Sequence, residues 1–242
     1  MKPILRNGDI TETDKEAIYK VIYGRRDVRS FFKPTPIPQE TLARILIAAH
    51  HAGSVGYMQP WNFIVVEDRA MKEKVKSAFE KERTEAAQLF DSQKREKYLT
   101  YKLEGILESP LNLIVTSDPT RRGPEVIGRH SIPETDVYST CCAIQNLWLA
   151  ARAENIGVGW VSILKREDLY SIFQIPKHIT IVAYLCLGYV THFPKKPDLE
   201  KLGWGKRVSL EELVSFNQWN GKPQADWENF HFLLRETEQS IK

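Results

Sequence analysis

The stretch from Val137 to Asn155 puts the tightest limit on what this chain can fold into. Val137, Cys141, Ile144, Trp148 and Ala151 recur at helical spacing, and Ala143, Leu147 and Ala150 make a second side of the same helix apolar. A helix apolar on most of its circumference cannot lie on a surface. It runs through the middle of a domain or is covered by a second chain. Gly157 ends it. Strand-like apolar runs flank it at 63–66, 111–117, 158–164 and 180–189. Helical patterns separate those runs, so the alternation predicts layers of helices on a sheet. A length of 242 residues fits one large domain or two small ones. We expect a single domain with an extension to about residue 12 and a packed, aromatic-bearing tail over about 215–242.

Local signals fix the expected ends. Thr13 and Glu16 read as a capping box for a helix over 13–23, with Gly24 as its stop. Pro38 suits a first helical turn, Leu42, Ile45, Leu46 and Ala49 give the next helix its apolar face, and Gly53 ends it. A mostly solvated helix is expected over 67–89, with Val75, Phe79 and Ala86 inward. A charged helix over 91–106 would form a cover. Lys165 to Phe173 reads as a short helix, and Ser209 with Glu212 as a capping box for a last one.

Composition excludes several classes. A net charge of +3 with no dense Lys/Arg cluster argues against a nucleic-acid partner. No run approaches the roughly 20 apolar residues of a membrane span, and 1–9 lacks the apolar core of a signal peptide. Cytoplasmic residence is the expectation. Cys141, Cys142 and Cys186 form no Cys-x-x-Cys pair and read as buried thiols. His50 and His51 are adjacent and the other histidines scattered, so no metal site is expected. No Gly-x-Gly-x-x-Gly, P-loop or Gly-x-Ser-x-Gly elbow occurs. Redox chemistry would therefore need an organic cofactor.

Four stretches carry polar groups with chemical potential. Arg25, Asp27 and Arg29 alternate, which in a strand sets all three side chains on one face. Two such guanidiniums can grip a phosphate bidentately; the same alternation also builds a surface strand held by Arg–Asp pairs. Between Gly53 and Trp61, two glycines, Ser54 and Gln59 form a loop able to approach a flat polar ligand, or an ordinary helix-to-strand connection. Gly159-Trp160-Val161-Ser162 sets one hydroxyl in an apolar run. Arg207, after Gly203-Trp204-Gly205, is a second phosphate cation or a solvated arginine.

Ser54-Val55-Gly56-Tyr57-Met58-Gln59-Pro60-Trp61-Asn62-Phe63, preceded by Arg25-Arg26-Asp27-Val28-Arg29-Ser30-Phe31, resembles the nitroreductase superfamily of flavin proteins. Within it, the pair is similar to the flavin-destroying 5,6-dimethylbenzimidazole synthases, over about 19–214. The resemblance implies an α+β fold with a central mixed sheet flanked by helices, in an intertwined homodimer with two flavin sites at the interface. It implies an oxygen-dependent enzyme that consumes reduced FMN, as substrate as well as redox centre, with O2. The products would be 5,6-dimethylbenzimidazole, the lower ligand of vitamin B12, and erythrose 4-phosphate. Reduced FMN would come from a separate flavin reductase. Carried over residue by residue, Arg25, Arg26, Asp27, Val28, Arg29, Ser54, Gln59, Ser162 and Arg207 become flavin contacts, with Asp27 and Ser162 catalytic. Asp27 lies between arginines, which favours its charged form and a base role. Gly53 departs from the pattern, where proline is expected before the serine. Two other functions share the fold: an FMN nitroreductase or quinone reductase cycling with NAD(P)H, and a flavin carrier without turnover.

Overall fold

In the structure, a computed structural model, residues 8–241 are described. They divide into two compact units, one ending at Phe193 and the other beginning at Pro194. The first unit is built on a four-stranded sheet. Its strands are β1 (Trp61–Val66), β2 (Leu111–Ser117), β3 (Ile156–Val161) and β4 (Thr180–Tyr189), in the order β1-β2-β4-β3. All three pairings are antiparallel, in registers such as Ile64↔Ile114, Leu113↔Leu185 and Gly159↔Cys186. The parallel component of the expected mixed sheet is one isolated bridge, Asp27 with Val158, at the β3 edge.

Helices cover both faces. On one, α2 (Gln39–His50) and α5 (Thr135–Ala153) bury Ile45, Ala49, Ile144, Leu147 and Ala151 against Leu113, Val158 and Leu185. On the other, α3 (Arg69–Ala87) and α6 (Arg166–Phe173) bring Val75, Phe79 and Leu169 onto Val66, Ile114 and Tyr184. Every residue of β2 is buried, as expected for a strand covered on both faces. Burying each such aliphatic side chain contributes roughly 1.5–3 kcal/mol.

The expected element types occur, with shifts at their ends. Helix α1 (Glu12–Gly24) is capped by Thr11, whose side chain accepts from the Asp14 N–H while Asp14 answers the Thr11 N–H; the capping box is Thr11/Asp14 and not Thr13/Glu16. Ala87, one position after Ala86, is the inward residue at the end of α3. The charged helix over 91–106 is shorter than expected: α4 (Ser92–Thr100) stops where Tyr101 turns extended, and Glu104 then points inward. Strand β3 ends at Val161, its pairing with β4 finishing at Tyr184, so Ser162 lies beyond the strand.

One expectation about burial is corrected. Cys141 and Cys142 are exposed, and only Cys186 is buried. They sit with Tyr138 and Gln145 on an outward stripe of α5 at i, i+3, i+4, i+7 spacing, opposite the core face. Burial pushes the Cys186 thiol up to about 12, which keeps it protonated and inert. Helix α1 buries no residue at all, although Ile18, Tyr19, Ile22 and Tyr23 are apolar.

The second unit holds α7 (Asp198–Lys201) and α8 (Phe230–Ser240). Phe216 packs on Trp227 and Phe230, and Arg235 pairs with Glu211 at 2.6 Å. Ser209 makes no cap bond: the expected helix there is a single 3-10 turn over Leu210–Glu212. Among the described residues no helix is long and apolar enough to cross a membrane, and no group of His, Cys, Asp and Glu is placed to hold a metal ion.

Candidate active site

The segment from Arg25 to Lys33 crosses the end of the sheet as a strap, fastened at two points. At the first, the Val28 N–H donates to the Val158 carbonyl at 2.9 Å. This close approach requires Gly159, where a Cβ would lie 2.1 Å from the Val28 carbonyl oxygen, and it leaves little room at Gly157, where one would lie 3.2 Å from Val28 Cβ. The room left by the missing side chain of Gly159 thus admits the strap's own backbone. At the second point, Lys33 N–H donates to the Tyr189 carbonyl (2.7 Å) and Thr191 N–H to the Phe31 carbonyl (3.0 Å). Phe31, between these bonds, is held at φ 72°, an uncommon conformation for an aromatic residue.

The expected site residues of the strap lie on either side of the first fastening. Asp27 Oδ1 accepts the Trp160 main-chain N–H at 2.9 Å, and its other oxygen pairs with Arg29 Nη2. Arg29 Nε is buried and has no hydrogen-bond partner. Arg25 lies over the Trp148 ring, 4.7 Å from its centroid, a cation–π contact. Trp148 in turn donates its indole N–H to the Arg26 carbonyl at 3.2 Å. Arg26 Nη1 donates to the Tyr23 and Arg25 carbonyls, so its guanidinium braces the strap.

The electrostatics of Asp27 differ from the expectation. Burial raises its pKa above the usual carboxylate value, and the opposing pull of Arg29, the Trp160 N–H and Arg25 does not cancel that rise. The arginines were expected to hold the charged form. In the fold, desolvation dominates, so this carboxyl can deliver a proton as well as accept one.

Ser54 and Gln59 form a second cluster. The Gln59 N–H donates to Ser54 Oγ at 3.1 Å, closing a loop in which Gly56, Tyr57 and Gln59 all have positive φ. Gly56 is obligatory twice over: its φ is 55°, and a Cβ there would meet Val126 Cγ1 at 2.5 Å. Gly53 is not, since nothing lies within 4 Å of the position a Cβ would take. The loop is tied to α5 by the Val55 N–H on Ser139 Oγ at 3.2 Å. The strap meets α5 at Trp148, nine residues on, or roughly 14 Å along the helix axis. One chain therefore does not bring Ser54 and Gln59 to Arg25 and Arg29. Ser162 is exposed, two residues beyond the Trp160 amide. Arg207 is exposed in the second unit.

Sequence reasoning missed a cavity of about 490 Å3 between α2, β1 and the 121–122 turn, lined among others by His50, Gln59, Trp61, Arg121 and Arg122. Trp61 Nε1–H donates to His50 Nδ1 at 3.1 Å. The indole can only donate, so neutral His50 carries its proton on Nε2. The available signal was Arg121-Arg122-Gly123 following an Asp-Pro turn.

The Nitroreductase family model matches residues 22–189. Over 204 residues the chain is 38% identical to the 5,6-dimethylbenzimidazole synthase of Rhodospirillum rubrum, an alignment covering 84% of this chain and 96% of that protein. Among solved structures it resembles a BluB-like flavoprotein from Clostridium difficile 630, with a TM-score of 0.61 and 22% identity over 83% of this chain and 99% of that one. It also resembles oxidised iodotyrosine deiodinase bound to FMN and 3-iodo-L-tyrosine, with a TM-score of 0.64 and 21% identity over 84% and 100%.

Proposed function

This chain belongs to the nitroreductase family, and from that premise we propose that it is an oxygen-dependent 5,6-dimethylbenzimidazole synthase acting on reduced FMN. In this reading reduced FMN and O2 yield 5,6-dimethylbenzimidazole, for cobalamin biosynthesis, and erythrose 4-phosphate. One observation carries the reading: 38% identity to a protein of that name across 96% of its length.

The residues present fit the flavin. Arg29 has a buried Nε with no partner, and Arg25 is oriented by Trp148, so the strap offers two guanidiniums to a phosphate and its ribityl chain. Arg26 and Val28 hold the backbone between them. Bound reduced FMN would supply both the electrons for dioxygen and the ring atoms of the product. The chain's own task is to seal that site from water and to move protons. Asp27, half-buried with a raised pKa, can pass a proton at its carboxylate, and Ser162 offers a hydroxyl near the end of β3.

The proposal includes a homodimer. Its support is the roughly 14 Å along α5 between the two contact clusters of one chain, together with the uncovered apolar side chains of α1. A second copy would complete the site with Ser54 and Gln59. Cytoplasmic residence and delivery of reduced FMN by a separate reductase belong to the same proposal. Adding NADPH to the FMN complex tests it against the nitroreductase alternative. Slow or no bleaching is expected; rapid bleaching with catalytic NADPH oxidation would favour the alternative.

A further inference from the structure

Helix α3 carries Lys72, Lys76 and Arg83 on one face. All three reach the segment that follows α4. Lys72 Nζ donates to the Ser109 and Pro110 carbonyls at 3.0 and 2.8 Å, and Arg83 Nη2 donates to the Tyr101 carbonyl at 3.0 Å. Between them, Lys76 Nζ meets Glu104 Oε1 at 2.8 Å. Lys102 Nζ reaches the same oxygen at 2.8 Å, and Glu104 Oε2 accepts the Ile106 N–H at 2.7 Å. The Glu104 side chain is 2% exposed. Burial alone would raise its pKa, yet Lys102, Lys76 and the Ile106 amide together hold it below the usual value. A segment with no regular structure after Thr100 is thus clamped along its length to α3.

The other side of this segment faces the strap. A Cβ at Gly105 would lie 2.5 Å from Phe32 Cε2 and 3.2 Å from the Arg29 carbonyl oxygen. Gly188 closes the opposite side of the Phe32 ring, where a Cβ would lie 3.0 Å from Cδ1. The strap is therefore seated in a slot between two glycines, one of them on the clamped segment.

We propose that this clamp positions Arg29 for the flavin: Glu104 fixes the 101–110 segment, and Gly105 sets the height of the Arg29 backbone, so that the guanidinium meets the phosphate end of a mononucleotide. Glu104 and Gly105 are positioning residues, with no flavin contact of their own. The inference rests on the FMN reading above.

The test compares reduced FMN with reduced riboflavin, which lacks the phosphate. Both are measured by anaerobic equilibrium dialysis against the parent, Gly105→Ala, Glu104→Gln and Lys102→Gln. The ratio of the two Kd values on one preparation is independent of the folded fraction, so a merely structural role does not move it. The parent is expected to prefer FMN. Gly105→Ala is expected to cut that preference about tenfold, the scale of a charge-assisted hydrogen bond. Glu104→Gln keeps the side-chain volume and the Ile106 bond, and Lys102→Gln alters a half-exposed position, so both variants are expected to fold. Each is expected to cut the preference about threefold. If the parent prefers FMN and the folded variants retain its ratio, the inference is overturned while the FMN reading stands. A parent that binds neither flavin overturns both.

Discussion

Asp27 Oδ1 accepts the main-chain N–H of Trp160 at 2.9 Å, and this bond joins the strap carrying the arginines to the edge strand bearing the Gly-Trp-Val-Ser run. Two stretches 133 residues apart thereby become one site. Burial raises the pKa of this carboxyl despite the opposing pull of that bond and of Arg29 alongside.

Replacing Asp27 by Asn should leave the fold intact and lower benzimidazole formation by about 10²–10⁴-fold, the usual range for a lost proton-transfer group. The linkage runs opposite to that of an ordinary paired carboxylate. A raised folded pKa contributes stability that is present below the unfolded value of 3.8 and is lost as pH rises through the folded value. Thermal melts of parent and Asp27→Asn across pH 4–8 should therefore show the parent losing ground to the variant as pH rises.

Glu104 should behave in the reverse sense. Its lowered pKa contributes stability present above the unfolded value of 4.5 and lost as pH falls through the folded value. Glu104→Gln should cost roughly 2 kcal/mol at pH 7. That is less than the ~3–5 kcal/mol of breaking a fully buried pair, because the Lys76 and Lys102 side chains are 27% and 40% exposed and can turn to water. Urea unfolding at pH 7 and pH 3 checks this; the gap between parent and variant should narrow in acid.

Two glycines in the family-like motifs should respond oppositely. Gly159→Ala sets a Cβ 2.1 Å from the Val28 carbonyl oxygen and should destabilise by about 1–3 kcal/mol, with loss of FMN binding. Gly53→Ala meets nothing within 4 Å and should be neutral, or stabilising by about 0.4–1 kcal/mol through the unfolded chain. Denaturation midpoints with and without FMN distinguish them.

Light scattering should give twice the 28.0 kDa chain mass. Ile22→Asp, on the helix that buries nothing within its own chain, should shift the protein toward a single chain. A parent that scatters as one chain would count against the shared site.

Much of this architecture was legible because periodicity reports burial directly: β2 and β4 occupy the residues that their apolar runs marked, and α5 is central. Ends were less legible, because they depend on which of two nearby side chains wins a bond. Thr11 took the cap that Thr13 advertised, and Glu104 left the helical pattern for two lysines. In the site, the Arg25–Arg29 alternation and the glycine of β3 were visible, but their reason was not. Gly159 accommodates Val28, a contact between distant stretches that no local pattern encodes. The sign of the Asp27 shift was missed for a related reason: neighbouring charges can be read along a chain, whereas desolvation requires the fold.

The central claim is most directly tested by one turnover. The protein is mixed in air with a stoichiometric amount of dithionite-free, photoreduced FMN, and flavin, benzimidazole and erythrose 4-phosphate are quantified together by mass spectrometry. The account predicts that the two products appear in equal amounts as FMN disappears. Quantitative recovery of oxidised FMN, with hydrogen peroxide and no benzimidazole, would contradict it.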